Sequence, residues 1–165
     1  IALAVNADGV HLGQDDLPLS IARRMLGPQR LIGVSTHSLE QARTASLEGP
    51  DYIAVGPIYP TTTKETGPPL GVDIIPRIKE HIAVPVVAIG GITLDNIHEV
   101  ARSGANCAAF ISAVVAAEDV DGTVRHLWAI SDRGRHSRRF PVKFPMLFPE
   151  IAGMRFESLQ CCGSG

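Results

Sequence analysis

The chain has 165 residues, of which 45% are hydrophobic and 19% charged, so it can build one domain with a real core and is not disordered overall. Its formal net charge of −2 argues against nucleic-acid or membrane-surface binding, and no apolar run is long enough to span a membrane. Three cysteines without CxxC or Cys/His spacing exclude a disulfide framework or a zinc site. We expect a soluble cytoplasmic protein.

Five short apolar runs bounded by Gly, Pro or Asp predict buried strands, because the runs are continuously apolar rather than alternating. They cover residues 9–12, 31–34, 52–55, 86–89 and 107–111. Amphipathic stretches of helical period lie between them, at residues 19–26, 39–47, 72–82 and 94–101. The alternation of strand and helix predicts a parallel α/β fold.

Helix-end residues support this division. Ser38 precedes the second helix with Gln41 three residues later, which is the pattern of a capping box, and Gly49 follows the last turn. Thr93 and Gly104 bracket the fourth helix in the same way. The sequence therefore predicts where these two helices begin and end.

The two ends of the sequence differ from this body. The opening IALAVNADG favours the end of a helix over another strand, and the missing initial Met suggests a cut through a longer chain. From about residue 131, clustered Arg and closely spaced Pro predict a poorly ordered tail, with a basic arm for an acidic partner as the alternative. We expect one domain over residues 1–130 and a basic, Pro-containing tail over residues 131–165.

The segment GPIYPTTTKETGPPLG, residues 56–71, carries three hydroxyls and an ammonium within four positions. It follows a strand and precedes a helix, where α/β barrels place active-site loops. Thr61, Thr62, Thr63 and Lys64 can donate to phosphoryl oxygens. We expect a pyrophosphate site here; an ordinary solvated loop is the alternative.

The segment GVHLGQDD ends the first strand with an amide and two carboxylates, from Gln14, Asp15 and Asp16. Such oxygen-rich clusters suit Mg²⁺, which takes one or two carboxylates and completes its shell with phosphate and water. The alternative is that one of the two Asp residues is only a helix N-cap before Pro18.

Two later strand ends have the small residues of a phosphate site. The segment AIGGI, residues 88–92, lets the backbone approach a ligand closely, and FISA, residues 110–113, offers amides and a hydroxyl. In barrels, the loops after the last two strands often hold a phosphate. Either segment alone could also be a tight turn.

The segment GVSTH, residues 33–37, ends the second strand with two hydroxyls and an imidazole. Ser35 can reach a ligand phosphate or a metal-bound oxygen. We expect His37 to be structural rather than a catalytic base, because no carboxylate partner is visible in the sequence. His11, on the first strand, is expected to be structural as well.

The motifs HLGQDD, GVSTH, GPIYPTTTK, AIGGI and ISA occur in the order, spacing and strand-end positions of thiamine-phosphate synthases, which the sequence resembles over residues 1 to about 130. The resemblance implies a (β/α)8 TIM barrel, here incomplete, with about five βα units and no N-terminal strands. It implies condensation of a hydroxymethylpyrimidine pyrophosphate with a thiazole phosphate, giving thiamine phosphate and pyrophosphate. In this family, departure of Mg²⁺-pyrophosphate leaves a pyrimidine cation or methide, which the thiazole nitrogen captures.

The resemblance also assigns roles at the pyrimidine substrate. Gln14 is expected to face the bound pyrimidine, and Asp16 to coordinate Mg²⁺. Ser35, Thr63 and Lys64 are expected to contact the pyrophosphate, with Ser35 and Lys64 as the catalytic residues.

The thiazole phosphate is expected to contact Thr61, Gly91, Ile111 and Ser112. A thiazole tautomerase-like paralogue is the closest competing assignment, because that branch shares the fold and the phosphate site. The complete GQDD and PTTTK motifs favour the synthase, since they suit Mg²⁺ and pyrophosphate rather than simple proton transfer.

Two further segments of the family, one basic and one of the Asn-Asp-Asp type, are expected to lie before Ile1, and with them half of the metal site. A further alternative is therefore an inactive fragment, or a phosphate-binding module that needs an N-terminal half from another polypeptide. An open sheet would expose an unpaired edge, which predicts association or a homo-oligomer.

Overall fold

The computed structural model describes residues 1–62 and 67–133 and contains a five-stranded parallel sheet. The strands are β1 (Gly9–Leu12), β2 (Leu31–Thr36), β3 (Tyr52–Val55), β4 (Val86–Ile89) and β5 (Cys107–Ala109). They lie side by side in chain order, and each pairs in parallel with the next. The predicted strands are confirmed, although β2 extends further and β5 ends earlier than predicted.

The helices of the described residues are α1 (Leu19–Leu26), α2 (Leu39–Leu47), α3 (Ile74–Lys79), α4 (Ile97–Arg102), α5 (Ser112–Val115) and α6 (Val120–Arg133). The first two have the predicted bounds, whereas α3 and α4 are shorter than predicted. Helix α6 continues past residue 130, where we expected the domain to end. The rest of the predicted tail, from residue 134, lies outside the described residues.

The capping box of α2 has one of its two expected hydrogen bonds, and the other goes to the preceding residue. The Ser38 hydroxyl accepts the Gln41 backbone N–H at 3.1 Å, as predicted. The Gln41 side chain accepts the backbone N–H of His37 at 2.7 Å rather than that of Ser38. The first bond satisfies an N–H group in the first turn of the helix, which otherwise lacks a partner, and the second holds the residue that precedes the cap.

The predicted start of α4 at Leu94, directly after Thr93, is wrong. The helix begins at Ile97, with Asn96 as the residue before its first turn. Asn96 accepts the backbone N–H of Thr93 at 2.8 Å and donates to the Gly91 carbonyl at 2.9 Å. Because these bonds stabilise a separate turn, the helix starts after it.

The first residues form turns whose hydrogen bonds are those that end a helix. The Ala7 N–H donates to the Ala2 carbonyl at 2.9 Å, and the Asn6 N–H donates to the Leu3 carbonyl at 3.3 Å. Asn6 has a φ of 51°, in the left-handed region. This pattern is a Schellman motif and agrees with the expected helix end before β1.

The two faces of the sheet differ, because alternate residues of a strand point to opposite sides. On one face Ile53, Val55 and Val86 are fully buried and pack with residues of α2, α3 and α4. The opposite face carries a smaller apolar cluster that includes Tyr52 and Ala54. The main core therefore lies between the sheet and the helices.

The strand order identifies the architecture. Each crossover moves the chain by one strand in the same direction, as in a (β/α) barrel, whereas the strand order of a doubly wound sheet reverses. The fold is therefore part of a (β/α) barrel, and in the described residues β1 and β5 are the two edge strands. None of the described helices has the length and apolar character needed to cross a membrane.

Candidate active site

The loops that follow the strands meet at one edge of the sheet, because the carboxyl ends of parallel strands lie on the same side. The loops after β1, β2, β3 and β4 carry the residues singled out in the sequence, and α5 follows β5 at the same edge. The candidate site is therefore assembled from five strand ends.

Gln14 and Asp16 stabilise the loop after β1. The Gln14 amide donates to the Ser35 carbonyl at 2.6 Å and so joins this loop to β2. One oxygen of the Asp16 carboxylate accepts the backbone N–H of Gly13 at 2.6 Å. The alternative role of an Asp as helix cap is wrong, because α1 begins after Pro18 and no side chain caps it.

Tyr52, His11 and Ser35 form a hydrogen-bonded chain across β3, β1 and β2. The His11 Nδ1 lies 3.0 Å from the Tyr52 hydroxyl, and its Nε2 lies 2.8 Å from the Ser35 hydroxyl. The His11 and Tyr52 rings stack, with centroids 5.6 Å apart and planes inclined by 24°. Strand register puts the three side chains on one face, the face opposite the main core.

Gly33 makes room for this chain. It pairs with His11 on one side and with Tyr52 on the other, and a Cβ built on it would overlap the Tyr52 ring. Burial, with smaller contributions from Cys107 and Asp51, raises the pKa of Tyr52 to about 12. The Tyr52 hydroxyl therefore keeps its proton at neutral pH.

The loop after β3 continues the pairing of β3 with β4 beyond the strand ends. The Ile58 N–H donates to the Ile89 carbonyl at 2.9 Å, and the Tyr59 N–H donates to the Gly90 carbonyl at 3.0 Å. Backbone bonds of this kind leave little freedom in the relative position of the two loops. The start of the Thr-rich segment is therefore held against the AIGGI segment.

Gly91 lies directly under this loop. It has a φ of 63°, and a Cβ there would lie 2.5 Å from the Pro60 carbonyl oxygen, so no larger residue fits without a shift. Pro60 directly precedes Thr61. The structure thus places Thr61 and Gly91, both expected at the thiazole phosphate, close together.

The far end of the same loop returns to its beginning. The Leu70 N–H donates to the Pro57 carbonyl at 2.8 Å, and the Gly71 N–H donates to the Ile58 carbonyl at 3.1 Å. These bonds close the base of the loop. Residues 63–66, with the predicted site residues Thr63 and Lys64, lie outside the described residues.

Ile111 and Ser112 follow β5 at the same edge. The Ile111 carbonyl accepts the N–H groups of Val114 at 3.1 Å and Val115 at 2.9 Å, which begins the short helix α5. The Ser112 side chain is exposed. The role of both residues at a phosphate stays a prediction.

His37 has a structural partner, as expected. Its Nδ1 donates to the Gly56 carbonyl at 2.6 Å, since a carbonyl can only accept. The bond joins the end of β2 to the beginning of the loop after β3. His37 therefore links two of the loops that form the candidate site.

A known protein family matches most of this chain. The family described as "Thiamine monophosphate synthase" matches residues 1–114. The chain belongs to this family. Over 131 residues it is 50% identical to the thiamine-phosphate synthase of Chloroflexus aurantiacus, an alignment that covers 79% of this chain and 60% of that protein. With the synthase of Halalkalibacterium halodurans it shares 52% identity over 124 residues, covering 74% and 59%.

A solved structure of this family supports the architecture. The thiamine phosphate pyrophosphorylase of Pyrococcus furiosus superposes with a TM-score of 0.73 at 41% identity, over 81% of this chain and 63% of that one. The expected (β/α) barrel class is confirmed. The chain spans about three fifths of the length of the curated synthases it matches. These relatives carry the synthase name.

Tyr52 and His11 are the residues of the site that the sequence did not point to. In the sequence Tyr52 is only the first residue of a predicted strand, and the role expected for His11 is structural. The available signal was their position: in β1 and β3 they alternate with apolar residues that face the helices. A polar side chain on the other face of a barrel strand points toward the barrel interior.

Metal-binding capacity at this edge is limited. Within residues 1–62 and 67–133, no group of three or more His, Cys, Asp or Glu side chains is arranged to hold a metal ion. Asp16 is exposed, and its hydrogen bond to Gly13 occupies one carboxylate oxygen. One available carboxylate suits Mg²⁺, which commonly takes one or two and completes its shell with phosphate and water.

Proposed function

We propose that this chain carries the thiamine-phosphate synthase activity of its family. The reaction condenses hydroxymethylpyrimidine pyrophosphate with thiazole phosphate to give thiamine phosphate and pyrophosphate. The observation that carries the proposal is the hydrogen bond from Gln14 to the Ser35 carbonyl. It brings together, at the carboxyl edge of the sheet, two residues expected at the pyrimidine pyrophosphate.

The protein contributes to this reaction mainly by stabilising the leaving group, not by covalent catalysis. The C–O bond to pyrophosphate breaks with its electron pair leaving on the pyrophosphate, and a C–N bond forms to the thiazole nitrogen. Ser35, Thr63 and Lys64 donate hydrogen bonds to the developing charge, and Lys64 adds a positive charge. Gln14 holds the pyrimidine so that its methylene carbon faces the thiazole nitrogen.

The second substrate is held by its phosphate. Thr61 and Gly91 contact this phosphate together, a role supported by the packing of Gly91 against Pro60. Ile111 and Ser112 add backbone and hydroxyl donors from the next strand end. Small residues at these positions let phosphate oxygens approach backbone amides closely.

Asp16 is the proposed ligand of Mg²⁺, with substrate phosphate oxygens and water completing the shell. When bound, the ion neutralises negative charge on the pyrophosphate. This role is supported by the exposed position of Asp16, which lies in the same loop as Gln14. Removal of the ion is therefore expected to weaken pyrophosphate binding.

The proposed partners are these two small molecules, with neither nucleic acid nor membrane, and the proposed location is the cytoplasm. The competing proposal is a phosphate-binding module that is inactive unless another polypeptide supplies further strands. The described residues favour this competing proposal, because they offer Mg²⁺ only part of a coordination shell.

An assay of thiamine phosphate formation by the purified chain tests the proposal. Both substrates and Mg²⁺ are supplied, and product is measured beside released pyrophosphate. We expect equal amounts of both products. The Lys64→Ala variant should lose about 10- to 150-fold in kcat/KM, because a charge-assisted hydrogen bond to the leaving group contributes about 1.5–3 kcal/mol.

Asp16→Asn is the matching test of the metal ligand, and Asp121→Asn is its control at an exposed position in α6. We expect Asp16→Asn to need more Mg²⁺ for half-maximal rate, and Asp121→Asn to behave as wild type. A folded wild-type chain that forms no thiamine phosphate would refute the activity proposed for this chain. Family membership would stand, and the inactive-module alternative would be favoured.

A further inference from the structure

The hydrogen-bonded chain of Tyr52, His11 and Ser35 can run in two directions. A neutral imidazole donates from one nitrogen and accepts at the other. Either Tyr52 donates to His11 and His11 donates to Ser35, or the order is reversed. The direction decides whether Ser35 offers its proton or its lone pairs to a ligand.

The chemistry of the two hydroxyls favours donation by Tyr52. A phenol hydroxyl is more acidic than an aliphatic one and therefore donates more strongly to an imidazole nitrogen. Its oxygen is also the weaker acceptor, because a lone pair is delocalised into the ring. These preferences favour Tyr52 as the donor to the His11 Nδ1, 3.0 Å away, and the His11 Nε2–H as the donor to the Ser35 hydroxyl, 2.8 Å away.

The surroundings hold the chain in this arrangement. Gly33 leaves the space that the Tyr52 ring fills, and the His11 ring stacks on Tyr52. Burial favours the protonated form of Tyr52 and so preserves the donor, with its pKa raised to about 12. The Ser35 carbonyl is bound by Gln14, which fixes the backbone of the last member of the chain.

We propose that His11 and Tyr52 are positioning residues, which orient the Ser35 hydroxyl so that its proton points at a ligand and selects an anionic acceptor, the pyrophosphate. Because His11 donates to its oxygen, the hydroxyl proton of Ser35 is directed elsewhere. The ligand at this position must then accept a hydrogen bond. This inference rests on the proposed function, since that function places pyrophosphate at Ser35.

The tautomer of His11 tests the direction without requiring any activity. Ring ¹⁵N chemical shifts of the full chain, measured at about pH 8, above the ordinary pKa of histidine, distinguish Nε2–H from Nδ1–H. The His11→Gln variant identifies the His11 signals. We expect Nε2–H in the wild type and a shift toward a mixture in Tyr52→Phe. A wild-type chain with Nδ1–H would overturn the proposal.

A double-mutant cycle on pyrophosphate affinity tests the consequence. Inorganic pyrophosphate with Mg²⁺ is titrated calorimetrically into the wild type, Tyr52→Phe, Ser35→Ala and the double variant. We expect Tyr52→Phe to weaken binding about three- to tenfold, and Ser35→Ala about tenfold or more, as for a lost hydrogen bond to a charged group. In the Ser35→Ala background, Tyr52→Phe should change nothing, because its effect passes through Ser35.

The control is Ser103→Ala, which removes a hydroxyl at the end of α4, before β5 begins, where it donates to the Val100 carbonyl at 2.7 Å. It should bind pyrophosphate as the wild type does. Equal losses from Tyr52→Phe in both backgrounds would show a merely structural role and overturn the proposal, as would a wild-type chain that binds no pyrophosphate. A chain that passes both tests yet forms no thiamine phosphate would refute the proposed function alone.

Discussion

Gly33 shows how much of this site depends on one missing side chain. It occupies the middle of β2 between His11 and Tyr52, and the Tyr52 ring lies where a Cβ would be. The hydrogen bonds of His11 to Tyr52 and to Ser35 follow from that placement. Glycine usually weakens a strand, but here Gly33 leaves the space in which the polar side chains of Tyr52 and His11 pack.

The Gly33→Ala variant should be destabilised by about 1–3 kcal/mol, the ordinary cost of overpacking, because Tyr52 must move away from the new methyl group. Urea unfolding measures the change. Gly67→Ala is the control, since a Cβ there meets no atom of the described residues within 4 Å. Unfolding free energies that fall equally in the two variants would contradict the account of Gly33.

Some residues of the candidate site could be singled out from the sequence, where their roles stay predictions, and others could not. Gln14, Asp16 and Ser35 stand at strand ends in chemically distinctive motifs, so the sequence pointed to them directly. His11 and Tyr52 could not be joined in advance, because the contact depends on the registers of β1 with β2 and of β2 with β3.

Single elements also differ in how well local pattern predicts them. Helices α1 and α2 have the predicted bounds, because their caps and apolar spacing agree. Helix α4 starts later than predicted because Asn96 binds both Thr93 and Gly91, and this turn competes with the helix. A side chain that can bond to nearby backbone decides such a boundary.

One ion pair links three elements. The Asp51 carboxylate, just before β3, accepts from Arg23 of α1 at 2.6 Å and from the Ile32 N–H of β2 at 2.7 Å. Both side chains are about one third exposed or less, at 26% for Arg23 and 34% for Asp51. This ion pair should therefore contribute more to the free energy of unfolding than a fully solvated ion pair does.

Asp51→Ala should lower the free energy of unfolding by about 2 kcal/mol. The substitution removes a charged acceptor, and the Arg23 side chain and the Ile32 N–H then lack their partner. Asp121→Ala is the matched control. It removes an ion pair with Arg125 of the same length, 2.6 Å. The side chains of Arg125 and Asp121 are 77% and 75% exposed, so this variant should lose less than about 1 kcal/mol of unfolding free energy. Similar losses in both variants, measured by urea unfolding, would show that the Asp51 contacts contribute little.

At the scale of the whole molecule, the sheet order is the decisive feature. Neighbours in sequence are neighbours in space from β1 to β5, so the strand ends carrying the site residues form one continuous edge. In the described part of the chain β1 and β5 have one neighbour each, and the face carrying Tyr52 and Ala54 has no helix layer of its own. Unpaired strand edges favour pairing with another chain.

Association is therefore expected at the level of the whole chain. Sedimentation velocity over a wide range of protein concentrations should show a mass that rises with concentration, because the described residues leave β1 and β5 with one neighbour each and carry an apolar sheet face, and both features favour contacts between copies. A single monomeric species at every concentration, with cooperative unfolding, would contradict this expectation. The same samples serve the activity assay, so association and activity can be compared directly.

The sequence by itself determined the parallel α/β class, the strands, the first two helices and the motifs at the strand ends, because apolar period, caps and glycines act over a few residues. It also carried the resemblance to the synthase family. Only the tertiary structure decided which strand ends are neighbours, that Thr61 lies beside Gly91, and that Tyr52 reaches Ser35 through His11. Those contacts depend on register and on space left by Gly33 and Gly91, which no local pattern specifies.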